Sequence, residues 1–404
     1  MATLRKAGLD EAPVEGATVL LRVDFNVPLD AEGRIRDDSR IRAALPTIQE
    51  LLQRGAAVVL VTHLGRPKGH VVPALSTEVL AERLRSLIQA PVATSPEVVG
   101  ERTTKLVRDL RPGQLLLLEN VRFLPEEEAN DPVFARQLAA LATVYVNDAF
   151  GSAHRAHAST EGVTHFLPAY AGRLMAKELE QLGGILDHPK RPLLAIMGGS
   201  KLSTKLGVIN HLLPRIDGLC LGGAMAATFL EAQGVRVGRS LVEEEFVPMA
   251  HEIQARSGAL SLGFHLPIDA VVAPGLDAGA EDVRRCPVTD ISNDEMLLDI
   301  GEGTAAEWEG LVRQAGTVVW NGPLGVYERP QFSNGTRLVA ESIAKSQAIS
   351  VTGGGDLQAA LVQLSLTAQF THVSTGGGAT LEFLEGRELP GVVALLNVGE
   401  EYRV

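Results

Sequence analysis

Cysteine is scarce in this sequence. Two cysteines occur in 404 residues, Cys220 and Cys286, and neither belongs to a CxxC motif or a Cys/His cluster. Cys220 lies in the apolar run Gly218-Leu-Cys-Leu221, which is typical of a small buried core residue. The sequence therefore excludes a disulfide scaffold and gives no support to a zinc site.

Long apolar runs and excess positive charge are also absent. No stretch reaches the roughly 18 apolar residues of a membrane span, and the N-terminus lacks the apolar region of a signal peptide. The formal net charge of -12 argues against nucleic acid or a membrane as a partner, since both require a broad basic face. We expect a cytoplasmic protein and, because heptads are absent, a monomer.

Aromatic residues make up only 4% of the chain, against 45% for all apolar residues. Ala, Val, Leu and Gly must therefore do most of the packing, which suits helices laid on a parallel sheet. Charged residues, at 21%, are in the normal range of folded proteins, so wholesale disorder is excluded. A chain of this length can form two domains with separate cores.

Short aliphatic runs alternate with amphipathic helical patterns along the whole chain, which indicates parallel strands with right-handed crossovers. In the first half we predict strands at Val19–Asp24, Ala57–Thr62, Leu115–Glu119 and Val144–Val146, and helices such as Ile41–Arg54 and Thr77–Gln89. In the second half the predicted strands are Leu193–Met197, Leu219–Leu221, Thr317–Trp320, Ile349–Thr352 and His372–Thr375.

An amphipathic helix is predicted at Ala171–Leu186, between these two halves. It is either an ordinary core helix or, as its position favours, a connecting element. We therefore predict an α/β fold with two doubly wound parallel-sheet domains, in residues 1–170 and 187–388. The helix at 171–186 would join them as a hinge, with a cleft between the domains.

The predicted strands of the second half end in glycine pairs or triplets, at 198–199, 222–223, 353–355 and 376–378. A row of such turns along one sheet edge would bring backbone N–H groups and helix N-termini together, which favours phosphate binding. The sequence contains no GxxxxGK[ST] motif, no GxGxxG in register and no protein-kinase signature. The usual P-loop, Rossmann and protein-kinase interpretations are therefore disfavoured.

Charged side chains follow the predicted strands of the first half. The groups concerned are Arg22, Asp24 and Asn26, then His63 and Arg66, then Arg122, then Asp148 and Arg155, with Arg40 at the start of a helix. Each arginine alone could be an ordinary surface residue. Five arginines and a histidine at strand ends that share one sheet edge instead predict a site for a small, highly anionic molecule, because Arg binds carboxylate and phosphate through two parallel hydrogen bonds.

Two other interpretations of this region remain open. His154 and His157 have a spacing that could hold a metal, although no Cys or third His is adjacent. Asp24 and Asp148 could be an acid/base pair, but the many arginines favour a role in orienting those arginines or in accepting hydrogen bonds from substrate hydroxyls.

Two lysines and an aspartate carry the chemistry predicted for the second half. Lys201 and Lys205 are four residues apart at a predicted helix start and would share one face, either in solvent or against phosphate. Asp356 follows the glycine triplet and is either a plain N-cap or a ligand for Mg²⁺ on nucleotide phosphates.

The chain resembles the phosphoglycerate kinase family from roughly Leu21 to Leu395. The segments that carry the resemblance are Arg22-Val-Asp-Phe-Asn-Val-Pro28, His63-Leu-Gly-Arg-Pro67, Glu119-Asn-Val-Arg122, Asp148-Ala-Phe-Gly-Ser-Ala-His-Arg155, Leu167-Pro-Ala-Tyr-Ala-Gly172, Gly198-Gly-Ser-Lys201, Trp320-Asn-Gly-Pro323 and Ser374-Thr-Gly-Gly-Gly378. So many motifs in the family's order make the resemblance highly specific.

The resemblance implies reversible phosphoryl transfer between ATP and the carboxylate of 3-phosphoglycerate, giving ADP and 1,3-bisphosphoglycerate in glycolysis, with Mg²⁺ as cofactor. It implies a phosphoglycerate site at Asp24, Phe25, Asn26, Arg40, His63, Leu64, Gly65, Arg66, Arg122 and Arg155. It implies a nucleotide site at Gly199, Lys205, Gly222, Gly223, Asn321, Pro323, Glu328, Gly354, Gly355, Asp356 and Leu357, with Asp356 linked to the metal. The C-terminal segment 389–404 is expected to pack on the first domain.

The sequence departs from the family pattern at Leu357, where Thr or Ser is usual, so that a hydroxyl contact to phosphate would be missing. The tail from Asn397 also differs from the family tail. A carboxylate nucleophile is already ionised at neutral pH, so no general base is needed. We predict catalysis by positioning and positive charge, from Arg40 on one domain and from Lys201 and Lys205 on the other.

Two rival functions would use some of the same residues. A non-catalytic protein that closes around a phosphorylated metabolite would need the arginine site, but not Lys201, Lys205 and Asp356 together. A ligase that activates a carboxylate as an acyl phosphate would need a site for an amine or thiol, and no segment suggests one.

Overall fold

The computed structural model describes residues 5–402, which form two compact units. The first unit runs to Glu180 and resumes at Glu388, and the second is Gln181–Arg387. Each unit contains a six-stranded parallel sheet flanked by helices. The predicted α/β fold with two parallel-sheet domains is thus confirmed.

The sheet of the first unit has the strand order β3-β4-β2-β1-β5-β6. Its strands are β1 (Thr18–Arg22), β2 (Ala57–Val61), β3 (Val92–Thr94), β4 (Leu115–Leu117), β5 (Val144–Asn147) and β6 (Ala169–Ala171). Its helices are α1 (Ser39–Gln53), α2 (Glu78–Leu87), α3 (Glu101–Asp109), α4 (Pro125–Glu128) and α5 (Pro132–Ala139). The central strands consist of Val and Leu buried on both faces, as parallel strands between helix layers require.

Helix α6 (Arg173–Asp187) is the predicted connecting helix, and the boundary between the two units falls within it. Its N-terminus is held by the first unit, where Arg173 forms ion pairs with Asp10 (2.6 Å) and Glu50 (2.7 Å). The N–H of Arg173 also donates to the Thr47 hydroxyl at 2.9 Å. The start of the helix is therefore fixed by side chains of α1 and the N-terminal segment.

The second unit contains two sheets. Its strands are β7 (Leu193–Met197), β8 (Gly218–Leu221), β9 (Gly263–His265), β10 (Asp269–Ala273), β11 (Arg284–Pro287), β12 (Met296–Ile300), β13 (Thr317–Asn321), β14 (Ile349–Gly353) and β15 (His372–Val373). Its helices are α7 (Leu206–Leu212), α8 (Met225–Ala232), α9 (Val247–Ala259), α10 (Glu302–Gln314), α11 (Asn334–Lys345), α12 (Gly355–Gln363) and α13 (Gly378–Leu384). The parallel sheet has the order β15-β14-β13-β7-β8-β9, and β11-β10-β12 form a small antiparallel sheet that the sequence analysis did not predict.

The C-terminal segment packs on the first unit through α14 (Pro390–Val393). The N–H of Gly391 donates to the carbonyl of Ala153 at 2.8 Å, and Lys6 Nζ donates to the carbonyl of Leu395 at 2.9 Å. The last two residues of the predicted segment, Arg403 and Val404, lie outside the described residues. Over residues 5–402, no helix combines the length and the apolar character needed to cross a membrane.

Candidate functional site

The charged residues predicted in the first unit follow the carboxyl ends of adjacent strands. Strands β1, β2, β4 and β5 are neighbours in the sheet and run parallel, so the loops after Arg22, Val61, Leu117 and Asn147 leave the same edge. The structure thus brings the predicted residues to one side of the sheet, as parallel strand order requires.

Arg40 and Asp24 form the clearest pair at this edge. Arg40 is the second residue of α1, and its Nη1 lies 2.9 Å from Asp24 Oδ2. Burial tends to raise the pKa of Asp24, but the charges of Arg40 and Arg22 and the N–H of Asn26 outweigh it and lower that pKa to about 2. Asp24 is therefore ionised and orients Arg40, which remains about one-third exposed.

Asn26 and Arg122 fix the loop that follows β2. Asn26 Oδ1 accepts from the N–H of Gly65 at 2.8 Å, and Arg122 Nη1 donates to the Gly65 carbonyl at 3.1 Å. Burial lowers the pKa of Arg122, and the positive charge of Arg22 lowers it further. Arg66 and Arg155 are exposed, so their guanidinium groups face solvent. A cluster of cations this close together favours an anion as its ligand.

Three predicted members of this cluster face the interior. Phe25 and Leu64 are fully buried in the core of the unit, so only their backbone is available to a ligand. Arg22, which the sequence analysis counted among the five arginines of the anion site, is also buried and bonds Ser159, the Val23 carbonyl and His63. The prediction that Arg22 faces the anion was wrong, because Arg22 is still part of the central strand β1, which is covered on both faces.

Asp148 serves the fold of α6 and does not orient an arginine. Its Oδ1 accepts from the N–H groups of Leu174 (2.9 Å) and Met175 (3.1 Å), in the first turn of that helix. Burial raises the pKa of Asp148 to about 6, although these bonds and one from Thr47 oppose the rise. Three roles were considered for Asp148 from sequence: an acid/base partner of Asp24, a partner for arginines and an acceptor for substrate hydroxyls. None is seen, because its carboxyl group is fully buried against the start of α6.

His154 and His157, whose spacing could hold a metal, include one buried residue. His157 is buried, lies 3.8 Å from Glu127, and has a pKa lowered to about 4, mainly by burial and then by Arg122. The described residues contain no group of three or more His, Cys, Asp or Glu side chains arranged to hold a metal.

In the second unit the glycine turns after β7, β8 and β13 contact each other through their backbones. The N–H groups of Gly198 and Gly199 donate to the carbonyls of Asn321 (2.8 Å) and Pro323 (2.9 Å), and that of Gly223 donates to the Leu324 carbonyl (3.1 Å). Gly223 has φ +66°, and a Cβ there would lie 2.5 Å from the Gly199 carbonyl oxygen. These glycines allow close backbone approach, and their N–H groups are already used within the fold.

Lys205 is positioned by Asn321, the last residue of β13. Asn321 Oδ1 accepts from Lys205 Nζ, and Asn321 Nδ2 donates to the Gly353 carbonyl at 2.7 Å. Burial lowers the pKa of Lys205, while the charge of Asp356 opposes this. One buried amide thus joins the turn after β7 to the turn after β14.

Lys201 and Lys205 do not share a helix face as predicted. Helix α7 begins at Leu206, and Lys205 is its N-cap. The preceding residues form turns, because the Thr204 hydroxyl donates to the Lys201 carbonyl (2.9 Å) and the Ser203 hydroxyl donates to Glu243 (2.6 Å). Such bonds from Ser and Thr side chains compete with helix formation. Lys201 is exposed in this turn.

Asp356 and Leu357 lie in the first turn of α12, where the N-cap is Gly354. The plain N-cap interpretation of Asp356 is therefore wrong. Its side chain is exposed and makes no hydrogen bond or ion pair with the described part of the chain. Leu357 is fully buried in the core of the second unit, so its side chain is turned away from any phosphate. The first-turn N–H groups of α12 have no partner within the helix.

Glu328 is exposed on the loop after β13, and the buried carboxyl group of Asp299 lies close to Gly325 in the same loop. Asp299 Oδ2 accepts from the N–H of Gly335 at 2.7 Å, and a Cβ on Gly325 would lie 2.3 Å from Asp299 Oδ1. Burial raises the pKa of Asp299 to about 7. Sequence analysis missed Asp299, because it lies on a strand of the unpredicted antiparallel sheet.

Comparison with known proteins gives a consistent result. The family model described as phosphoglycerate kinase matches residues 9–387. A phosphoglycerate kinase of Moorella thermoacetica is 51% identical over 392 residues, 97% of this chain and 99% of that protein, and one of Pelotomaculum thermopropionicum is 50% identical over 394 residues, 98% and 100% of the two chains. The solved phosphoglycerate kinase of Coxiella burnetii has a TM-score of 0.86 at 39% identity, covering 96% of this chain and 98% of the other. This chain belongs to the phosphoglycerate kinase family.

Proposed function

We propose that the two strand-end sites divide the work of this kinase, which transfers a phosphoryl group between ATP and the carboxylate of 3-phosphoglycerate. The first unit would bind 3-phosphoglycerate, and the second would bind ATP or ADP. The observation that supports this division most directly is the cation cluster of the first unit, in which Asp24 pairs with Arg40, Glu128 lies 3.4 Å from Arg122, and Arg66 and Arg155 are exposed.

The side chains of the first unit suit a small molecule with a carboxylate and a phosphate. Arg66 and Arg155 are exposed, and Arg40 and Arg122 are partly held by Asp24 and Gly65, which leaves guanidinium N–H groups for a ligand. Arg binds both ligand groups through two parallel hydrogen bonds. Asn26 would position the Gly65 loop and add its amide N–H group, while Phe25 and Leu64 would contribute only backbone.

The second unit would hold the nucleotide with different groups. The turns at Gly199, Gly222, Gly223 and Pro323 are close-packed, and of these residues only Gly199 is partly exposed, so the base and sugar would lie against Gly199. The N–H groups of Gly355, Asp356 and Leu357, in the first turn of α12, would bind phosphate oxygens. Lys205 would contact the transferring phosphate, and Glu328 would accept hydrogen bonds from the ribose.

Mg²⁺ would be held by Asp356 together with nucleotide phosphates and water. The residues fit this ion, because Asp356 is an exposed carboxylate without a protein partner, and Mg²⁺ favours one or two carboxylates with phosphate oxygens. The bound ion would neutralise charge on the nucleotide.

In the reaction, a carboxylate oxygen of 3-phosphoglycerate forms a bond to the γ-phosphorus, and the bond from phosphorus to the bridging oxygen breaks. The electron pair leaves with ADP, and no proton has to be removed from the nucleophile. Arg40 from the first unit and Lys201 and Lys205 from the second would stabilise the charge on the transferring group. Substrates bound to separate units can react only if the units approach each other, so we infer closure about α6.

The reaction is tested by a coupled assay with ATP, MgCl₂ and 3-phosphoglycerate. We expect ADP formation that depends on all three components, with EDTA abolishing it. Phosphometabolite binding without turnover would instead support the non-catalytic alternative. We also propose that the protein is a cytoplasmic monomer. Analytical ultracentrifugation tests the oligomeric state, and we expect sedimentation as a monomer.

Closure is tested separately by small-angle scattering. We expect the radius of gyration to fall when 3-phosphoglycerate and a non-hydrolysable ATP analogue are added together, and to change less with either alone. Unchanged dimensions with both ligands bound would contradict the hinge.

A further inference from the structure

His63, a predicted ligand of the anion site, is hydrogen-bonded through its side chain to a charged group in the protein interior. It is 3% exposed, and its Nδ1 lies 3.1 Å from Nη2 of Arg22, which is 1% exposed. A guanidinium group has donors and no acceptor. Arg22 must therefore donate to Nδ1, and Nδ1 cannot carry a proton.

Arg22 is itself held by a second buried pair. Its Nε donates to Ser159 Oγ at 2.8 Å, and Ser159 Oγ donates to Glu127 Oε1 at 2.6 Å. The N–H of Ser159 donates to Glu127 Oε2 at 2.9 Å. Ser159 and Glu127 are both fully buried. Because Arg22 can only donate, the Ser159 hydroxyl proton is free to point to Glu127, and the direction of every bond in the chain is determined.

We propose that the buried chain Glu127–Ser159–Arg22 holds His63 as the neutral tautomer with its proton on Nε2, so that the phosphoglycerate site receives a hydrogen bond donor there and not a cation. Glu127 and Ser159 are positioning residues, since they act on a ligand only through Arg22 and His63. This inference rests on the proposed function only where it assigns His63 to the phosphoglycerate site.

The surroundings of His63 support the neutral form. Burial lowers its pKa well below the usual value, the charge of Asp24 opposes this, and the charges of Arg22, Arg122 and Arg40 lower it further. These four charged groups come from β1 and the loop after it, from α1 and from the turn after β4. Protonation of Nδ1 would also break the bond from Arg22 and place two cations in contact. Nε2 makes no hydrogen bond within residues 5–402, so its N–H is available to a ligand.

Glu127 compensates the charge of Arg22 in this series of buried hydrogen bonds. A buried guanidinium group is costly unless an opposite charge compensates it, and Glu127 is the buried carboxylate that Arg22 reaches through one hydroxyl. Burial raises the pKa of Glu127, while Arg22 and the two bonds from Ser159 oppose the rise. The pair therefore keeps Arg22 oriented toward His63.

The direct test is NMR of the full chain labelled with ¹⁵N-histidine, in which the ten histidines are resolved by long-range ¹H–¹⁵N correlation. The His63→Gln variant assigns the His63 signals. We expect the Nε2–H neutral tautomer, without titration between about pH 5.5 and 8. A proton on Nδ1, or titration with a midpoint near 6.5, would overturn the proposal whatever the activity of the protein.

The chain is tested by Ser159→Ala, with Ser159→Thr as the variant that keeps the hydroxyl and Ser95→Ala as a matched buried serine of the same unit. In Ser159→Ala we expect a mixture of His63 tautomers and a rise of about fivefold to tenfold in the KM for 3-phosphoglycerate, equal to about 1 to 1.4 kcal/mol, with the KM for ATP unchanged. Ser159→Thr should restore both. An unchanged His63 spectrum in a folded Ser159→Ala protein would contradict the role of the chain.

A separate measurement tests whether His63 contacts 3-phosphoglycerate. Addition of 3-phosphoglycerate to the wild-type protein should shift the His63 Nε2–H signal. If the tautomer is as proposed but this signal does not respond to saturating 3-phosphoglycerate, the placement of the substrate is wrong and the buried chain is confirmed on its own.

Discussion

The two units have sheets of the same size and direction but carry different chemistry on their strand ends. In the first unit the segments after the strands carry long charged side chains, among them Arg40 at the start of α1, the exposed Arg66 and the largely buried Arg122. In the second unit the corresponding loops are glycine turns packed backbone to backbone, with Lys205 and Asp356 as the charged groups nearby. If both sites bind as we propose, one topology supports an anion site made of side chains and another that relies largely on backbone N–H groups.

This difference has a structural cost in each unit. Guanidinium groups near one another repel, so the first unit needs carboxylates such as the partly exposed Asp24 and the buried Glu127 to hold them. In our proposal the second unit avoids this by binding phosphate at a helix N-terminus, and its glycine turns approach so closely that a side chain would not fit. The site of the first unit should therefore be sensitive to the loss of a charged side chain. The site of the second unit should be sensitive to a side chain added at a glycine.

Arg40→Ala should have the largest effect on activity. We expect turnover to fall about 10²- to 10³-fold, because Arg40 would stabilise charge on the transferring phosphoryl group, with only a modest change in nucleotide affinity. Steady-state kinetics and calorimetry with ADP measure the two effects. Arg36→Ala, at an exposed arginine just before the same helix, is the control and should leave turnover unchanged. Equal losses of turnover and nucleotide affinity in Arg40→Ala would remove Arg40 from this role.

Gly223→Ala tests the second half of the comparison. The added Cβ would lie 2.5 Å from the Gly199 backbone at a residue with φ +66°, so we expect a loss of about 3 kcal/mol in the free energy of unfolding. Gly355→Ala is the matched control, because a Cβ there meets no atom within 4 Å. Urea denaturation of both variants measures the difference. Equal stability of the two would show that the glycine turns are not required for close approach.

The sequence predicted the element types and the convergence of strand ends, because hydrophobic runs and parallel order determine both. It could not predict which charged residues face inward. Arg22 and Arg122 both follow aliphatic runs, yet Arg22 is a strand residue that bonds the interior and Arg122 lies in the turn beyond β4. That distinction depends on where a strand ends, and the boundary differs from the expected one by two residues at β1.

The glycine turns also show what local sequence cannot predict. Glycine pairs after strands predicted backbone N–H groups that were free for phosphate, but those of Gly198, Gly199 and Gly223 donate to neighbouring turns. Local sequence indicates that a turn is tight and does not indicate what packs against it. The short strands β3 (Val-Ala-Thr), β6 (Ala-Tyr-Ala) and β9 (Gly-Phe-His) also escaped prediction, because none has the run of large aliphatic residues that marked the equally short β4.

Asp148→Asn should change how stability depends on pH. The pKa of Asp148 is about 6 in the folded protein and 3.8 in the reference state, so its contribution to stability is fully present below pH 3.8 and is lost as the pH rises through 6. Asn keeps an oxygen for the N–H groups of α6 and does not titrate. Between pH 4 and 7 the wild-type protein should therefore lose about 2 to 3 kcal/mol relative to the variant. Chemical denaturation at both pH values measures this, and parallel profiles would contradict the raised pKa.

Leu357→Thr should have the smallest effect on ligand binding. Because the Leu357 side chain is buried in the core, a hydroxyl introduced there would not reach a phosphate, and nucleotide affinity should change by at most about tenfold, or 1.4 kcal/mol. The free energy of unfolding should fall by about 1 to 3 kcal/mol, from lost packing and an added polar group. Leu357→Val, which has the same shape as Thr without the hydroxyl, separates these causes. If Thr binds ADP more than tenfold differently from Val in calorimetry, the hydroxyl reaches the ligand, and the second site depends on a side chain as the first one does.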